Sequence, residues 1–385
     1  MESKKYHIMI LAGETSGDHH AARLIQALRR TGLDFSISGM GGPALKEEGM
    51  ETFVDSETLA VIGVSGVLAK LPLYWRALKT MKQKIAETKP DLIVSVDFPD
   101  FNLLVAKEAK KLHIPVLHYI SPQIWAWRRG RIRKIKKRFD HMAVILPFEP
   151  DFYSSYDMPV TYVGHPMMDN EEFVLDRLPT VASEESIIGF LPGSRTAEIK
   201  THLPVMIKVA RMLQKEKPDV RFLLSIPSKK RVVLIDEILQ KENAPNLFQK
   251  EETLPIVFKR SRFLVAVSGT VTLQAAVWVV PTIIVYRFSH LNALIAALLL
   301  RVKFIGLANL IAGKEVMPEL IQYKMTTKNI CAKSIEWLDH PEKLKDAREG
   351  LIEVCKKIGE AGASDKLAKV VLQLLQFPAE KIHGL

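Results

Sequence analysis

A glycine-containing loop near the middle of the chain has residues suited to binding a phosphate group. The apolar run Ile187–Leu191 is typical of a buried strand, and Gly193, Ser194 and Arg195 follow it, just before a predicted helix. A strand that ends at a glycine and continues as a helix directs free backbone N–H groups at one point, where an anion binds well. The guanidinium of Arg195 adds a forked positive charge. For this loop alone, an ordinary strand–helix turn with a surface arginine is an equally good interpretation.

A second loop of the same type, formed by Ser268, Gly269 and Thr270, follows the apolar run Phe263–Val267. Because it also joins a predicted strand to a predicted helix, its N–H groups would bind the other phosphate of a diphosphate. Two such loops and one arginine in the same half of the chain are more specific than either loop alone. The sequence therefore predicts a diphosphate site there.

A carboxylate that can act as a base lies in the first half of the chain. Asp97 directly follows a predicted strand at residues 91–96, and Asp100 and Asn102 come soon after it. Ligands of open α/β sheets bind beyond the carboxyl ends of the strands, so Asp97 is placed to take a proton from an alcohol. The alternative role is capping of the next helix, and the pattern favours that alternative for Asp100.

The loop after the first predicted strand is acidic. It carries Glu14 and Asp18, and because carboxylates repel a phosphate, the loop is better suited to sugar hydroxyls. We expect Glu14 to bind or orient an acceptor and to complete the catalytic set with Asp97. The candidate acceptor-binding residues are Ser16, Asp100 and Asn102. Ser16 and Asp18 can instead cap the helix that follows, and for Asp18 we favour the cap.

Strands and helices alternate along the chain, and each half begins with a strand, a glycine-containing loop and a helix. This pattern predicts the α/β class, with two Rossmann-like domains facing across a cleft. A length of 385 residues supports two cores. The predicted units are a first domain at residues 1–168, a second at 169–345, and a helical tail at 346–385. We expect the tail to pack on the first domain or to exchange between protomers.

Two segments are candidate membrane-docking surfaces. Residues 61–81 mix apolar and aromatic side chains with lysine and arginine, as interfacial segments do, although a core-packing helix fits as well. Residues 128–138 are rich in cations; a solvated face, a nucleic-acid site or contact with an anionic membrane would explain them. The candidate docking residues are Val67, Leu68, Leu71, Trp75, Arg131, Arg133 and Lys134.

Composition narrows the class of protein. The formal net charge of +11 suggests an anionic partner, and two cysteines without metal-ligand spacing argue against a disulfide scaffold. Neither a signal peptide nor an apolar run of membrane-spanning length is present in the sequence, so we expect a cytoplasmic protein that is not integral. A nucleic-acid-binding protein would leave the glycine loops without a purpose, and no nucleic-acid partner is expected. The first loop lacks the glycine spacing of dehydrogenases.

Taken in order, eight motifs resemble those of the lipid-A-disaccharide synthases. They are Ala12-Gly-Glu-Thr-Ser-Gly-Asp18, Asp97-Phe-Pro-Asp-Phe-Asn102, Ser121-Pro-Gln-Ile-Trp-Ala-Trp127, Leu146-Pro-Phe-Glu149, Gly164-His-Pro166, Leu191-Pro-Gly-Ser-Arg195, Ser268-Gly-Thr270 and Pro318-Glu-Leu-Ile-Gln322. The set and its order are specific, whereas no single motif would be.

This resemblance implies an inverting glycosyltransferase of the GT-B type. It would join UDP-2,3-diacylglucosamine to 2,3-diacylglucosamine 1-phosphate, forming a β-1′,6 disaccharide and releasing UDP. It also implies peripheral association with the cytoplasmic face of the inner membrane and no catalytic metal or other cofactor, and it leaves a homodimer open. The alternative is another GT-B-like enzyme that acts on UDP-N-acetylglucosamine, either an epimerase or a peptidoglycan-type transferase.

The resemblance also assigns roles to residues. Asp97 matches the family's candidate base, and Arg195 matches an essential arginine. The implied UDP-sugar-binding set is Gly193, Ser194, Arg195, Ser268, Gly269, Thr270, Gln274, Asn309, Glu319 and Gln322. The chain departs from the family pattern at Gln274, where a glutamate is usual, and at Ala308, where a proline is usual. An amide at position 274 still hydrogen-bonds a hydroxyl.

Overall fold

The computed structural model describes residues 4–60, 67–169, 186–288 and 302–377. The described residues up to Asp169, together with those from Glu360 onward, form one compact unit, and those between them form a second. Each unit contains a parallel β-sheet whose strands alternate with helices along the chain, which confirms the predicted α/β class. The acidic stretch at residues 170–185, where we placed the domain boundary, lies outside the described residues.

The sheet of the first unit has seven parallel strands in the order β3-β2-β1-β4-β5-β6-β7. The strands are β1 (Tyr6–Ala12), β2 (Phe35–Gly41), β3 (Glu51–Asp55), β4 (Leu92–Val96), β5 (Val116–Tyr119), β6 (His141–Val144) and β7 (Val160–Tyr162). The helices are α1 (Thr15–Arg30), α2 (Pro43–Glu47), α3 (Ser56–Ala60), α4 (Val67–Thr88), α5 (Pro99–Lys111), α6 (Ile132–Lys136) and α7 (Glu149–Ser154).

The second unit has six parallel strands in the order β10-β9-β8-β11-β12-β13. The strands are β8 (Ile187–Leu191), β9 (Arg221–Ser225), β10 (Gln249–Glu251), β11 (Phe263–Val267), β12 (Thr282–Tyr286) and β13 (Glu319–Ile321). Its helices are α8 (Thr196–Glu216), α9 (Val232–Lys241), α10 (Leu254–Arg260), α11 (Thr270–Val277), α12 (Leu307–Ala312), α13 (Thr327–Asp339) and α14 (Pro341–Ile358). Helix α15 (Ala363–Leu374) belongs to the first unit.

Strand β1 shows why the central strands are apolar throughout. Ile8 and Ile10 pack into one hydrophobic cluster with helices α1 and α15, whereas Met9 and Leu11 pack into another with helices α4 and α5. A parallel strand covered on both faces needs apolar side chains at every position, because successive side chains point to opposite faces.

The structure corrects the predicted tail. Helix α14 packs against α11 and α12 and therefore belongs to the second unit, so the chain returns to the first unit at about Glu360, not at residue 346. Helix α15 then packs on α1. Asp169 holds its start, since its carboxylate accepts hydrogen bonds from the N–H groups of Gly362 (2.8 Å), Ala363 (3.0 Å) and Ser364 (2.9 Å).

Candidate active site

The two glycine-containing loops of the second unit lie side by side, because β8 and β11 are neighbouring parallel strands and both loops leave their carboxyl ends. They line a cavity of about 380 Å³. Seven of the ten predicted donor-binding residues line it, namely Gly193, Ser194, Arg195, Ser268, Gly269, Thr270 and Gln274.

The N-terminus of α8 is closed by a carboxylate of its own helix. Glu198 Oε2 accepts hydrogen bonds from the N–H groups of Ser194 (3.1 Å) and Arg195 (3.2 Å), and its Oε1 accepts one from the Arg195 guanidinium (2.9 Å). The expectation of free N–H groups at Ser194 and Arg195 is therefore wrong. A glutamate three residues after a helix cap is a known capping signal, and that signal is present in the sequence.

The N-terminus of α11 is different. Gly269 caps it without a side-chain hydrogen bond, and within the described chain the N–H groups of Gly269, Thr270 and Val271 have no hydrogen-bond acceptor. The Thr272 hydroxyl donates to the carbonyl of Gly269 (2.8 Å) and so fixes the turn. Of the two loops, this one has the N–H groups that an anion can bind.

Besides Glu198, five residues outside the two glycine-containing loops line the same cavity and were not predicted from the sequence: Ser225, Ile226, Pro227, Glu252 and Leu254. They lie at or just after the carboxyl ends of β9 and β10. The rule that ligands bind at the carboxyl ends of parallel strands would have identified the segment after β9. It would not have identified the other two, because β10 is a three-residue edge strand without an apolar run.

Three predicted donor-binding residues lie elsewhere. Asn309 is fully buried, donates to the carbonyl of Met317 (2.7 Å) and accepts from the N–H groups of Val316 and Met317 (both 2.8 Å). Glu319 accepts from the N–H groups of Ile305 and Gly306 (both 2.9 Å). These two side chains support the loop between β12 and β13, and Asn309 has no exposed surface for a ligand. This corrects its predicted role as a direct contact.

Gln322, the third of these residues, follows β13. Its Oε1 accepts a hydrogen bond from the N–H group of Phe288 (2.9 Å), two residues after the end of β12. The side chain therefore joins two neighbouring strand ends, and it does not line the cavity.

In the first unit, Asp97 lies at the carboxyl end of β4, as predicted from the sequence. Its N–H group donates to the carbonyl of Tyr119 (2.9 Å), and both Asp97 and Phe98 adopt a left-handed backbone conformation. Burial raises the pKa of the half-buried Asp97 carboxyl, and the negative charge of Glu14 raises it further. A carboxylate with a raised pKa is a stronger base than an exposed one.

The side chain of Asn102 stabilises the turn at Asp97. It is fully buried, and its amide donates to the carbonyl of Asp97 (2.7 Å). A fully buried side chain cannot contact an acceptor, so the predicted acceptor-binding role of Asn102 is corrected to one of holding the Asp97 turn.

The loop after β1 brings Glu14 close to Asp97. Glu14 and Ser16 are exposed, and neither side chain caps helix α1. A Cβ atom built on Gly13 would lie 2.3 Å from Cδ1 of Phe98, so the two loops pack together only because residue 13 is glycine.

Asp18 is a cap, but of a different helix from the one expected. Its buried carboxylate accepts hydrogen bonds from the N–H groups of Gly42 (2.7 Å), Ala44 (2.9 Å) and Leu45 (3.4 Å), at the start of α2. The sequence predicted a cap on the helix that contains Asp18. Asp18 does bind a helix N-terminus, as carboxylates prefer to do, but tertiary packing determines which helix it caps.

Two motifs of the first unit meet in its interior: the one at residues 121–127, which contains Trp125, and the one at residues 146–149, which contains Glu149. Trp125 Nε1 donates to Glu149 Oε1 (3.1 Å), and Glu149 Oε2 accepts from the N–H groups of Ile145 (3.2 Å) and Leu146 (2.9 Å). Burial raises the pKa of the Glu149 carboxyl to about 7. The side chain of Glu149 thus joins the loop after β5 to the loop after β6.

The basic segment at residues 128–138 is partly neutralised by its own surroundings. Arg131 pairs with Asp100, so neither of these predicted contact residues is free of a protein partner. The Arg128 guanidinium lies over the Trp127 ring, 4.1 Å from its centre. Arg133 and Lys134 are exposed, and neither side chain hydrogen-bonds to a described residue. Ile132 and Ile135 are buried, which makes α6 amphipathic.

Helix α4 has both of the features predicted for residues 61–81: one set of its side chains packs in the core, and another set is apolar and exposed. Ala77, Leu78 and Met81 are buried in the core, whereas Leu71 is 41% and Trp75 57% exposed. The Tyr74 ring contacts those of Trp75, Phe98 and Phe101 edge-on, and this aromatic cluster adjoins the Asp97 turn. Residues 61–66 and the side chains of Val67 and Leu68 lie outside what the structure describes.

The described residues contain no group of three histidine, cysteine or acidic side chains placed to hold a metal ion. No helix among them is both long enough and apolar enough to cross a membrane.

Comparison with known proteins identifies the family. The model of the lipid-A-disaccharide synthetase family matches residues 8–372. The chain belongs to this family. It is 38% identical over 379 residues to the lipid-A-disaccharide synthase of Geobacter sulfurreducens, covering 97% of this chain and 98% of that protein. It is 40% identical over 383 residues to that of Trichlorobacter lovleyi, covering 96% and 97%. Family membership makes the chain a glycosyltransferase of lipid A synthesis.

Solved structures share its fold at low sequence identity. The MurG structure from Acinetobacter baumannii superimposes with a TM-score of 0.61 at 14% identity, covering 96% of this chain and all of that one. The S. aureus MnaA–UDP co-structure gives a TM-score of 0.64 at 14% identity, covering 99% and 100%. The calicheamicin glycosyltransferase CalG4 gives 0.63 at 16%, covering 98% and 100%. The predicted pair of Rossmann-like domains of the GT-B type is confirmed.

Proposed function

We propose that this glycosyltransferase joins UDP-2,3-diacylglucosamine to 2,3-diacylglucosamine 1-phosphate, with inversion, to give the β-1′,6-linked disaccharide 1-phosphate and UDP. The observation that carries the proposal is that donor-type and acceptor-type chemistry occupy different units of a chain that belongs to this family. The second unit has the anion-binding loop and Arg195, and the first has a half-buried carboxylate at a strand end.

The UDP moiety would bind in the 380 Å³ cavity of the second unit. Its diphosphate would accept hydrogen bonds from the open N-terminus of α11 and from the guanidinium of Arg195. Both would stabilise the charge that develops as the bond from the sugar C1 to the diphosphate oxygen breaks. A solved neighbour of the same fold contains UDP, which is consistent with this nucleotide.

The first unit would supply the base that activates the acceptor hydroxyl. The Asp97 carboxylate takes the proton of the acceptor 6-hydroxyl, the O6 oxygen forms the new bond to C1, and the electron pair of the broken bond leaves with UDP. UDP is a good leaving group once its charge is stabilised, so a second carboxylic acid is not required. Glu14, near Asp97 and exposed, would orient the acceptor.

Exposed side chains of the first unit would bind the acyl chains of the acceptor and contact the membrane. Leu71 and Trp75 present apolar surface beside the aromatic cluster of Tyr74, Phe98 and Phe101, next to the Asp97 turn. Apolar side chains at that place suit the acyl chains of a lipid acceptor, and the exposed cations Arg133 and Lys134 suit an anionic headgroup layer. We therefore place the protein peripherally on the cytoplasmic face of the inner membrane.

The test is release of UDP by the purified protein supplied with both diacyl sugars. Asp97→Asn should lower kcat by about a hundredfold or more, since it removes the general base. Its dissociation constant for UDP should stay unchanged, because the nucleotide cavity is in the other unit.

Asp157→Asn is the matched control, because Asp157 is almost fully exposed and its left-handed backbone suits asparagine equally well. An Asp97→Asn variant that keeps more than about a tenth of wild-type turnover would exclude Asp97 as the base. Turnover of UDP-N-acetylglucosamine alone would favour the epimerase alternative.

A further inference from the structure

The nucleotide cavity contains two helix N-termini of similar construction, and only one of them is open to an anion. At α8, the N–H groups of Ser194 and Arg195 are bound by Glu198, whose side chain is only 12% exposed. At α11, the N–H groups of Gly269, Thr270 and Val271 have no acceptor within the described part of the chain. This asymmetry was not expected from the sequence.

The geometry at Gly193 is adapted to this carboxylate. Gly193 has φ +98°, and a Cβ atom there would lie 2.6 Å from Glu198 Oε2, so only glycine allows the side chain to fold back onto the loop. Arg231 holds the other side of the loop, donating to the carbonyl of Ser194 (3.2 Å) and to the hydroxyl of Thr196 (2.8 Å). The loop is therefore fixed through both its N–H groups and its carbonyl.

Arg195 remains largely available to a ligand. One of its terminal nitrogens donates to Glu198 Oε1 (2.9 Å), yet its side chain is 82% exposed. A guanidinium has five N–H donors, and a single bond to Glu198 fixes its direction while leaving most of the others free. A fixed guanidinium loses less conformational entropy on binding phosphate than a freely moving one.

We infer that Glu198 is a positioning residue of the donor site. Its carboxylate occupies the α8 N-terminus, excludes the diphosphate from it by charge repulsion, and orients Arg195 toward a diphosphate held at the α11 N-terminus. This inference rests on the proposed function, and it gives Glu198 a role that is exerted through the orientation of Arg195.

The main test measures UDP binding by calorimetry in wild type, Glu198→Gln and Glu198→Ala. In Glu198→Gln the amide oxygen still accepts from both N–H groups, but its NH2 group cannot accept from Arg195. We expect the dissociation constant for UDP to rise about tenfold, the effect of losing one hydrogen bond to a charged group. In the Arg195→Ala background the same substitution should change it less than twofold, because there is no guanidinium left to orient.

Glu198→Ala supplies a second readout that a purely structural residue would not give. The substitution removes a fragment the size of acetate and frees the Ser194 and Arg195 N–H groups. Acetate should then restore UDP affinity, chloride at equal ionic strength should not, and inorganic phosphate should bind to this variant and compete with acetate. Glu216→Gln, exposed at the far end of the same helix, is the matched control and should match wild type.

The outcomes separate this inference from the proposed function. Wild-type protein that neither binds UDP nor releases it from the diacyl substrates would overturn both. Wild-type protein that does both, with Glu198→Gln binding UDP as tightly, overturns only the role of Glu198. So would an equal effect of Glu198→Gln with and without Arg195, or a folded Glu198→Ala protein that acetate does not rescue.

Discussion

Glu149 is a fully buried carboxyl group whose ionisation changes near neutral pH. Its pKa is raised by burial to about 7, from an ordinary value of 4.5. The folded protein therefore binds this proton more tightly than the unfolded chain does. The resulting stabilisation is complete below about pH 4.5 and is lost as the pH rises through about 7.

We expect the free energy of unfolding of wild type, relative to Glu149→Gln, to fall by about 2 kcal/mol between pH 5 and pH 8. The glutamine variant cannot ionise at this position. The difference between the two proteins therefore isolates the pH dependence that is due to Glu149 from that of all other titrating groups, such as histidines. The amide of the variant has only one acceptor oxygen for the three N–H groups that bind the two Glu149 oxygens, so at least one of them loses its acceptor, and the resulting loss of stability does not depend on pH. Urea unfolding of both proteins across this range measures the difference; a difference that does not change with pH would contradict it.

At the scale of single residues, the sequence predicted where side chains lie along the chain better than it predicted what they bind. Asp97 is at a strand end because the apolar run before it defines β4. Asn102 and Asn309 carry hydrogen-bonding groups typical of ligand sites, but both are fully buried and bind backbone atoms. Burial of this kind depends on neighbouring elements that are distant in sequence, and spacing does not report it.

At the scale of elements, the central strands were predictable, whereas the edge strands β3 and β13 were not. Strands such as β1, β8 and β11 are buried on both faces and read as continuous apolar runs. The edge strands β3 and β13 are partly exposed and carry glutamate or aspartate, so no apolar run marks them. Motif Pro318-Glu-Leu-Ile-Gln322 thus contains β13, although it was recognised only as a motif.

The contact between the loops after β1 and β4 gives a prediction at this scale. In Gly13→Ala the new methyl group would lie 2.3 Å from the Phe98 ring, so the ring and the adjoining Asp97 must move. A displacement of about 1 Å at a reacting group can lower turnover by about a hundredfold, and we expect kcat to fall at least tenfold. The dissociation constant for UDP should not change.

Gly130→Ala is the control for this substitution, because a Cβ atom there meets nothing within 4 Å. Steady-state kinetics and UDP calorimetry on the two variants provide the measurements. Wild-type turnover by Gly13→Ala would mean that the position of Phe98 has no influence on the base.

At the scale of the whole molecule, only part of the excess positive charge is available to a partner, because some of the cations already bind groups of the protein. The formal net charge is +11, yet several cations of residues 128–138 bind protein groups: Arg131 pairs with Asp100, Lys136 donates to the Tyr156 carbonyl and Arg138 to that of Leu103. Arg133 and Lys134 are exposed on α6 without such partners among the described residues. Their charges are therefore available to an anionic surface.

We expect the double variant Arg133→Glu/Lys134→Glu to bind anionic phospholipid vesicles at least tenfold more weakly than wild type, since each basic residue near such a surface contributes about 1 kcal/mol. The control is Lys208→Glu/Lys215→Glu on α8, which changes the net charge equally in the second unit and should alter binding less than about twofold. Vesicle co-sedimentation at two salt concentrations measures both, and the loss should shrink at high salt because exposed charges are screened. Equal loss in the two variants would show that net charge, and not this face of the first unit, attracts the membrane.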